Sequence, residues 1–208
     1  MRGKHAPKTP TPPPAPGPKP RPGPEAVTRI TGGAWKGRRI QTLPGLATRP
    51  TAAKVREALF SILGARTAGS SVLDLFAGSG ALTWEALSRG AARALLVENG
   101  REAVKALRAN RERLGAGEGA TILPADVFTF LTAAAGEQFD LIFLDPPYRQ
   151  SLAGQTLNLL KNISLLKCNG VVAAETEAEA ALDSRPPLEL RAVRRYGGAR
   201  LWFFQNMV

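Results

Sequence analysis

Hydrophobic and polar positions along this 208-residue chain change period several times, and the changes mark its elements. From residue 71 onward, short apolar runs alternate with stretches whose apolar residues recur every three or four positions. The runs predict strands over Ser71–Phe76, Arg93–Glu98, Ala120–Leu123, Phe139–Leu144 and Val171–Glu175. The 3.6-residue stretches predict helices over Leu82–Ser88, Glu102–Leu114, Val127–Ala134 and Thr156–Leu166, with Val104, Leu107 and Leu114 on the buried face of the second. Leu188–Arg195 and Arg200–Gln205 read as an antiparallel pair joined through Gly197-Gly198. Repeated strand–helix units imply an α/β fold, a doubly wound, mostly parallel seven-stranded sheet with helices on both faces and one antiparallel strand.

Ahead of this domain, taken as residues 67–208, the pattern differs. Thr28–Thr31 and Arg38–Gln41 flank a glycine-containing segment and predict a short hairpin. Pro50 opens a helix in which Val55, Leu59 and Ile62 share a face, widened by Phe60 and Leu63, while Lys54 and Arg56 fall off the stripe. Residues 27–66 therefore read as a small attachment. Residues 1–26 form a basic tail that holds most of the chain's prolines and almost no large apolar side chains, so it is expected to be disordered.

Composition narrows the chemistry. Lys and Arg number 28 against 17 acids, a net charge of +11. The five basic residues before Glu25 leave +6 for the rest, so the excess is not confined to the tail. Such a balance suits a polyanion, and a genome-wide bias toward arginine is the other way to produce it. One cysteine, Cys168, and one histidine, His5, disfavour a disulfide framework, a cysteine-rich zinc site and histidine catalysis. No metal is expected. Neither an 18-residue apolar run nor a secretory signal pattern is present, and a cytoplasmic protein without a membrane partner is expected.

The candidate chemistry gathers at strand ends. Asp145-Pro146-Pro147-Tyr148 follows the Phe139–Leu144 strand. Two prolines cannot continue a central strand, so the chain turns there and leaves a carboxylate, prolyl carbonyls and a ring at the carboxyl edge. In open α/β sheets that edge is where ligands bind. Acceptors aimed at an exocyclic amine would stabilise the positive charge that develops as the nitrogen is alkylated. Asp145 and Pro146 supply such acceptors, and Tyr148 a stacking surface.

Asp74-Leu75-Phe76-Ala77-Gly78-Ser79-Gly80 occupies the first strand-to-helix turn, where small residues admit a ligand to the backbone. Its spacing is neither that of a dinucleotide fingerprint nor that of a phosphate loop. Glu98, twenty residues beyond Gly78, stands where a carboxylate grips ribose hydroxyls; it also reads as a solvated strand-end acid. Asp126 reads equally as an acceptor for an adenine amino group or as a helix N-cap. Trp35 reads either as a base-stacking ring or as core of the attachment.

These motifs together resemble the RsmD-type family of class I S-adenosylmethionine-dependent methyltransferases, which modify guanine N2 in small-subunit (16S) ribosomal RNA. The resemblance covers residues 28 to about 205. It is carried by Arg29-Ile30-Thr31-Gly32-Gly33 with Lys36-Gly37-Arg38, by Arg49-Pro50-Thr51 through Val55–Phe60, by Asp74–Gly80 continuing to Glu85–Gly90, and by Asp145–Tyr148. It implies S-adenosylmethionine as co-substrate, contacted by Asp74, Gly78, Gly80, Glu98 and Asp126. It implies a flipped target guanine held by Asp145, Pro146 and Tyr148. Arg29, Lys36, Arg38, Arg39, Arg49, Lys54 and Arg56 are the candidate RNA contacts, and the partner implied is ribosomal RNA, the small subunit or an assembly particle. A monomer is expected. Two other readings stand beside it: methylation of adenine N6 or cytosine N4 in DNA, which uses the same acceptor logic, and an RNA-binding assembly factor without turnover.

Overall fold

The computed structural model describes residues 27–43, 50–134, 136–147, 151–162, 164–183 and 186–208, without the side chains of residues 50–52. The tail, Arg49 and Tyr148 lie outside the described residues.

Strands β1 (Val27–Arg29) and β2 (Arg39–Gln41) pair antiparallel, with Thr28 opposite Ile40. Helix α1 (Pro50–Leu63) follows. The alternating part then runs β3 (Ser71–Leu75), α2 (Ala81–Ser88), β4 (Arg93–Glu98), α3 (Arg101–Leu114), β5 (Ala120–Pro124), α4 (Val127–Ala133), β6 (Phe139–Leu144), α5 (Leu152–Leu160), β7 (Leu166–Glu177), β8 (Leu188–Tyr196) and β9 (Ala199–Asn206). The seven strands lie in the order β5-β4-β3-β6-β7-β9-β8. All neighbours are parallel except that β9 runs antiparallel to both β7 and β8. Both β4 and β6 flank β3, so the order reverses there and opens a crevice at the carboxyl ends of β3 and β6.

Each face of the sheet carries its own core. On one, Val72, Leu96, Leu141, Phe143, Val171, Ala173, Leu201 and Phe203 meet α1, α2, α3 and the hairpin through Phe60, Trp84, Leu107, Ile30 and Ile40. On the other, Leu73, Leu75, Ile142, Leu144, Val172 and Ala174 meet α4 and α5 through Leu131 and Leu157. The attachment thus packs into the first core, and Trp35 lies half-buried against it. Among the described residues no helix is long and apolar enough to cross a membrane.

Three expectations need correction. The helix expected over Thr156–Leu166 is Leu152–Leu160. Leu165 and Leu166 continue its apolar spacing, but Leu165 is buried in the turn before β7 and Leu166 opens that strand, pairing with Phe139 before a register shift. Ile62 is 41 % exposed, and Leu63 takes its place in the core. Arg56 is not a surface cation. It is 5 % exposed, donates from Nε to Glu85 at 3.2 Å and from Nη2 to the Arg29 carbonyl at 2.7 Å.

Candidate functional site

The glycine loop and the Asp-Pro-Pro turn lie side by side. In the β3–β6 register Leu75 is opposite Leu144, so Phe76 and Asp145 leave the sheet at the same level. Asp145 is accessible there, and Pro146 is buried behind it. Desolvation, followed by the negative charges of Glu175 and Asp74, pushes the Asp145 carboxyl well above the ordinary carboxylate range. All three contributions have the same sign, although the side chain keeps a face open to solvent.

The loop itself is tightly braced. Gly80, the N-cap of α2, adopts φ 78°. The indole N–H of Trp84 and the Asn110 side-chain amide both donate to the Ser79 carbonyl, at 2.8 Å and 3.1 Å. Asn110 also exchanges two hydrogen bonds of 2.8 Å with the Gln41 backbone, which ties β2 to the same loop. Glu98 accepts the amide protons of Gly78 at 2.8 Å and Gly100 at 2.6 Å. Beneath the loop, Asp74 is 2 % exposed and accepts the Thr83 hydroxyl at 2.6 Å. Burial raises its pKa to about 7 against the Thr83 hydrogen bond, and the Glu98 charge adds to the rise.

One glycine leaves room for a ligand. A Cβ at Gly78 would meet only the Phe76 carbonyl, at 3.9 Å, whereas one at Gly80 would run into Trp84 and Leu107. The space above Gly78, with Glu98 at its edge and the Asp74 carboxylate below, fits a small polar molecule carrying hydroxyls and positive charge. S-adenosylmethionine has both. Asp126 stands at the end of β5, exposed, and caps α4 by accepting the Thr129 amide at 2.9 Å. Its second oxygen is not used in that cap.

The hairpin is fastened to α2, the helix the loop begins. Glu85, fully buried, accepts from the Thr31 amide and hydroxyl at 2.8 Å each and from Arg89 at 2.9 Å, besides Arg56. Ser88 donates to the Gly32 carbonyl at 2.6 Å and accepts the Trp35 amide at 2.8 Å. Of the basic residues expected to face RNA, Arg29, Lys36, Arg38, Arg39 and Lys54 are exposed. Arg29 donates to the Gly37 carbonyl at 2.8 Å, and Arg38 holds the carbonyls that end α3, those of Leu114 at 3.0 Å and Arg113.

The pattern of the sequence passed over Glu85, Trp84, Thr83 and Asn110. Asn110 had a signal: it sits at a buried position of α3 between Leu107 and Leu114, where a polar side chain needs a partner. A small cavity of about 120 Å³ beside Ile62, Val171 and Phe203 includes none of the groups above.

The model of the conserved hypothetical protein 95 family matches residues 28–205. Ribosomal RNA small subunit methyltransferase D of Escherichia coli is 39% identical over 158 residues, covering 76% of this chain and 79% of that protein. A solved structure of a hypothetical protein from Thermus thermophilus is similar with a TM-score of 0.72 and 34% identity, covering 88% of this chain and all of that one. The 16S rRNA N2 methyltransferase RsmC of Thermus thermophilus, solved with AdoMet and guanosine, is 22% identical at a TM-score of 0.65. It covers 90% of this chain and 52% of its own, and shares the fold.

Proposed function

This chain belongs to the conserved hypothetical protein 95 family, the RsmD-type family, and from that premise we propose that it methylates N2 of a guanine in small-subunit ribosomal RNA, using S-adenosylmethionine. The observation that carries the reading is the level placement of Asp145 and the glycine loop at the reversal of the sheet. A donor held over Gly78 and an amine held by Asp145 would be neighbours. The name of the Escherichia coli relative points to ribosomal RNA as the substrate class.

S-adenosylmethionine supplies a methyl group on a positively charged sulfur. The chain's own residues do the rest. Glu98 holds the ribose hydroxyls and Asp74 the positive end of the donor, while Asp126 accepts from the adenine amino group. Asp145 and the Pro146 carbonyl accept from the 2-amino group of guanine, whose lone pair is delocalised into the ring. As the N–CH3 bond forms and the S–CH3 bond breaks, positive charge grows on that nitrogen, and fixed acceptors stabilise it. The proton released from N2 passes to the Asp145 carboxylate and then to solvent on its open side. Tyr148 stacks on the extruded base. Exposed Lys36, Arg39 and Lys54 contact phosphates, which position RNA without reading sequence.

The test uses small-subunit particles from cells lacking the protein, incubated with methyl-labelled donor and digested to nucleosides. Label is expected in N2-methylguanosine. Label in N6-methyladenosine, in N4-methylcytidine or in no nucleoside overturns the reading.

A further inference from the structure

We infer that Glu175 sets the base specificity of this crevice, accepting the ring N1–H of the target guanine while Asp145 and Pro146 accept from its 2-amino group. The inference rests on the function proposed above and deepens it.

The placement comes from the sheet. Strands β6 and β7 are parallel, with Phe143 opposite Ala173 and Leu144 opposite Ala174. Phe143 and Ala173 enter the core beneath α1, and Leu144 and Ala174 enter the other. Alternation returns the next pair, Asp145 and Glu175, to the first face, side by side on strands about 4.8 Å apart. Glu175 still belongs to β7, where it is opposite Leu201 of β9, one residue past the last β6 pairing, so β9 holds its backbone in place. Its side chain is half-buried. Two further observations place its charge. The Asp145 carboxyl responds to it more than to Asp74, and the buried guanidinium of Arg56, on the helix that covers this face, responds to it as well. Glu175 thus lies on the side of the sheet that Asp145 and Arg56 share.

The chemistry of bases supplies the rest. Guanine presents two adjacent donors, N1–H and the 2-amino group. Adenine places an acceptor, N1, next to its 6-amino group, and cytosine places N3 next to its 4-amino group. Ionised carboxylates are acceptors only. A lone acidic group opposite an exocyclic amine would serve all three bases. A second one alongside sets an anion against the lone pair of adenine N1 or cytosine N3 and pairs with guanine N1–H. The repulsion discriminates as much as the attraction does.

The test requires a base that keeps the reacting amine and turns N1 from donor to acceptor. 2-Aminopurine does this, with hydrogen in place of the 6-oxo group, and any contact to that oxygen is common to wild type and variant. Small-subunit RNA is ligated to carry guanine or 2-aminopurine at the nucleotide mapped in the preceding experiment and assembled into particles. The wild-type protein is expected to favour guanine by about 100-fold or more in kcat/KM. Glu175→Gln, whose amide can donate to N1, should lower the guanine rate at least about tenfold and compress the preference to within about tenfold. An unchanged preference in Glu175→Gln overturns the inference, because a role in packing alone would slow both bases alike. Should that variant fail to fold, Glu175→Asp keeps the charge but withdraws it by one methylene. It should slow guanine methylation and preserve the preference, and a wild-type rate would be the contrary result. If the wild-type protein methylates N2 in neither RNA, it is the proposed function that fails.

Discussion

The Glu98 carboxylate accepts the Gly78 amide proton at 2.8 Å, so the residue that closes β4 fixes the loop that follows β3. The same carboxylate holds the Gly100 amide at 2.6 Å. A ribose bound there meets a carboxylate already oriented by two backbone groups. Glu98→Ala removes the acceptor from both amides and from the ligand. Charge-assisted hydrogen bonds contribute about 1.5–3 kcal/mol each, so S-adenosylmethionine should bind about 10- to 100-fold more weakly, as titration calorimetry would measure.

Gly78 and Gly80 should respond differently to alanine. At both, positive φ makes a side chain cost about 1–2 kcal/mol. At Gly80 the new Cβ also meets Trp84 and Leu107, so thermal stability should fall by more than that. At Gly78 the Cβ enters open space. That variant should lose only the backbone cost, a few degrees in Tm, and lose donor binding. Paired thermal and calorimetric measurements separate the two.

Asp74 makes a pH prediction. Its folded pKa, about 7, lies above the unfolded value of 3.8. The folded state therefore holds a proton that the unfolded chain releases between these values. Stability from this group is greatest below about pH 4 and is lost as pH rises through 7. A positively charged ligand favours the ionised form, so S-adenosylmethionine affinity should rise with pH across 6–8, a window set by that value. Asp74→Asn should flatten both dependences, as denaturant titrations and calorimetry at several pH values would reveal.

Asp145→Asn should lower kcat by about 10²- to 10⁴-fold and leave donor affinity within about twofold of the wild type. The raised Asp145 pKa sets the direction of the wild-type pH profile. Since the carboxylate is the active form, kcat/KM should climb with pH through a range above that of ordinary carboxylates and should fall on acidification. A pH-independent profile would contradict the assignment.

Arg56→Met should destabilise the protein by about 3–5 kcal/mol, because it leaves the buried Glu85 without one of its two cations. Equilibrium denaturation measures the loss. A shift below about 0.5 kcal/mol, typical of a surface position, would show that Arg56 is dispensable to the fold.

The alternation of strands and helices and the strand-end position of Asp145 were legible because both are local. Period, proline and glycine report them within a few residues. The position of Arg56 was not. A charged residue off an apolar stripe reads as surface, and its partner Glu85 lies 29 residues onward on another helix. Glu175 was silent for the same reason. Its neighbour Asp145 is brought level by strand pairing, and no spacing along the chain reports that. Strand β7 began earlier than its pattern suggested. Lys167–Gly170 interrupts the apolar run, and Asn169 takes φ 61° where the register slips.

Helix α2 is a gauge block. It starts at the glycine loop and ends at the serine that grips the hairpin, and eight residues set that length at about 12 Å. Inserting a single residue would lengthen the block by only about 1.5 Å but swing one end about 100° around the axis. Glu85 and Ser88 could no longer meet the hairpin while Thr83 still met Asp74. The tolerance of this helix to insertion should therefore be nil even where its side chains tolerate exchange.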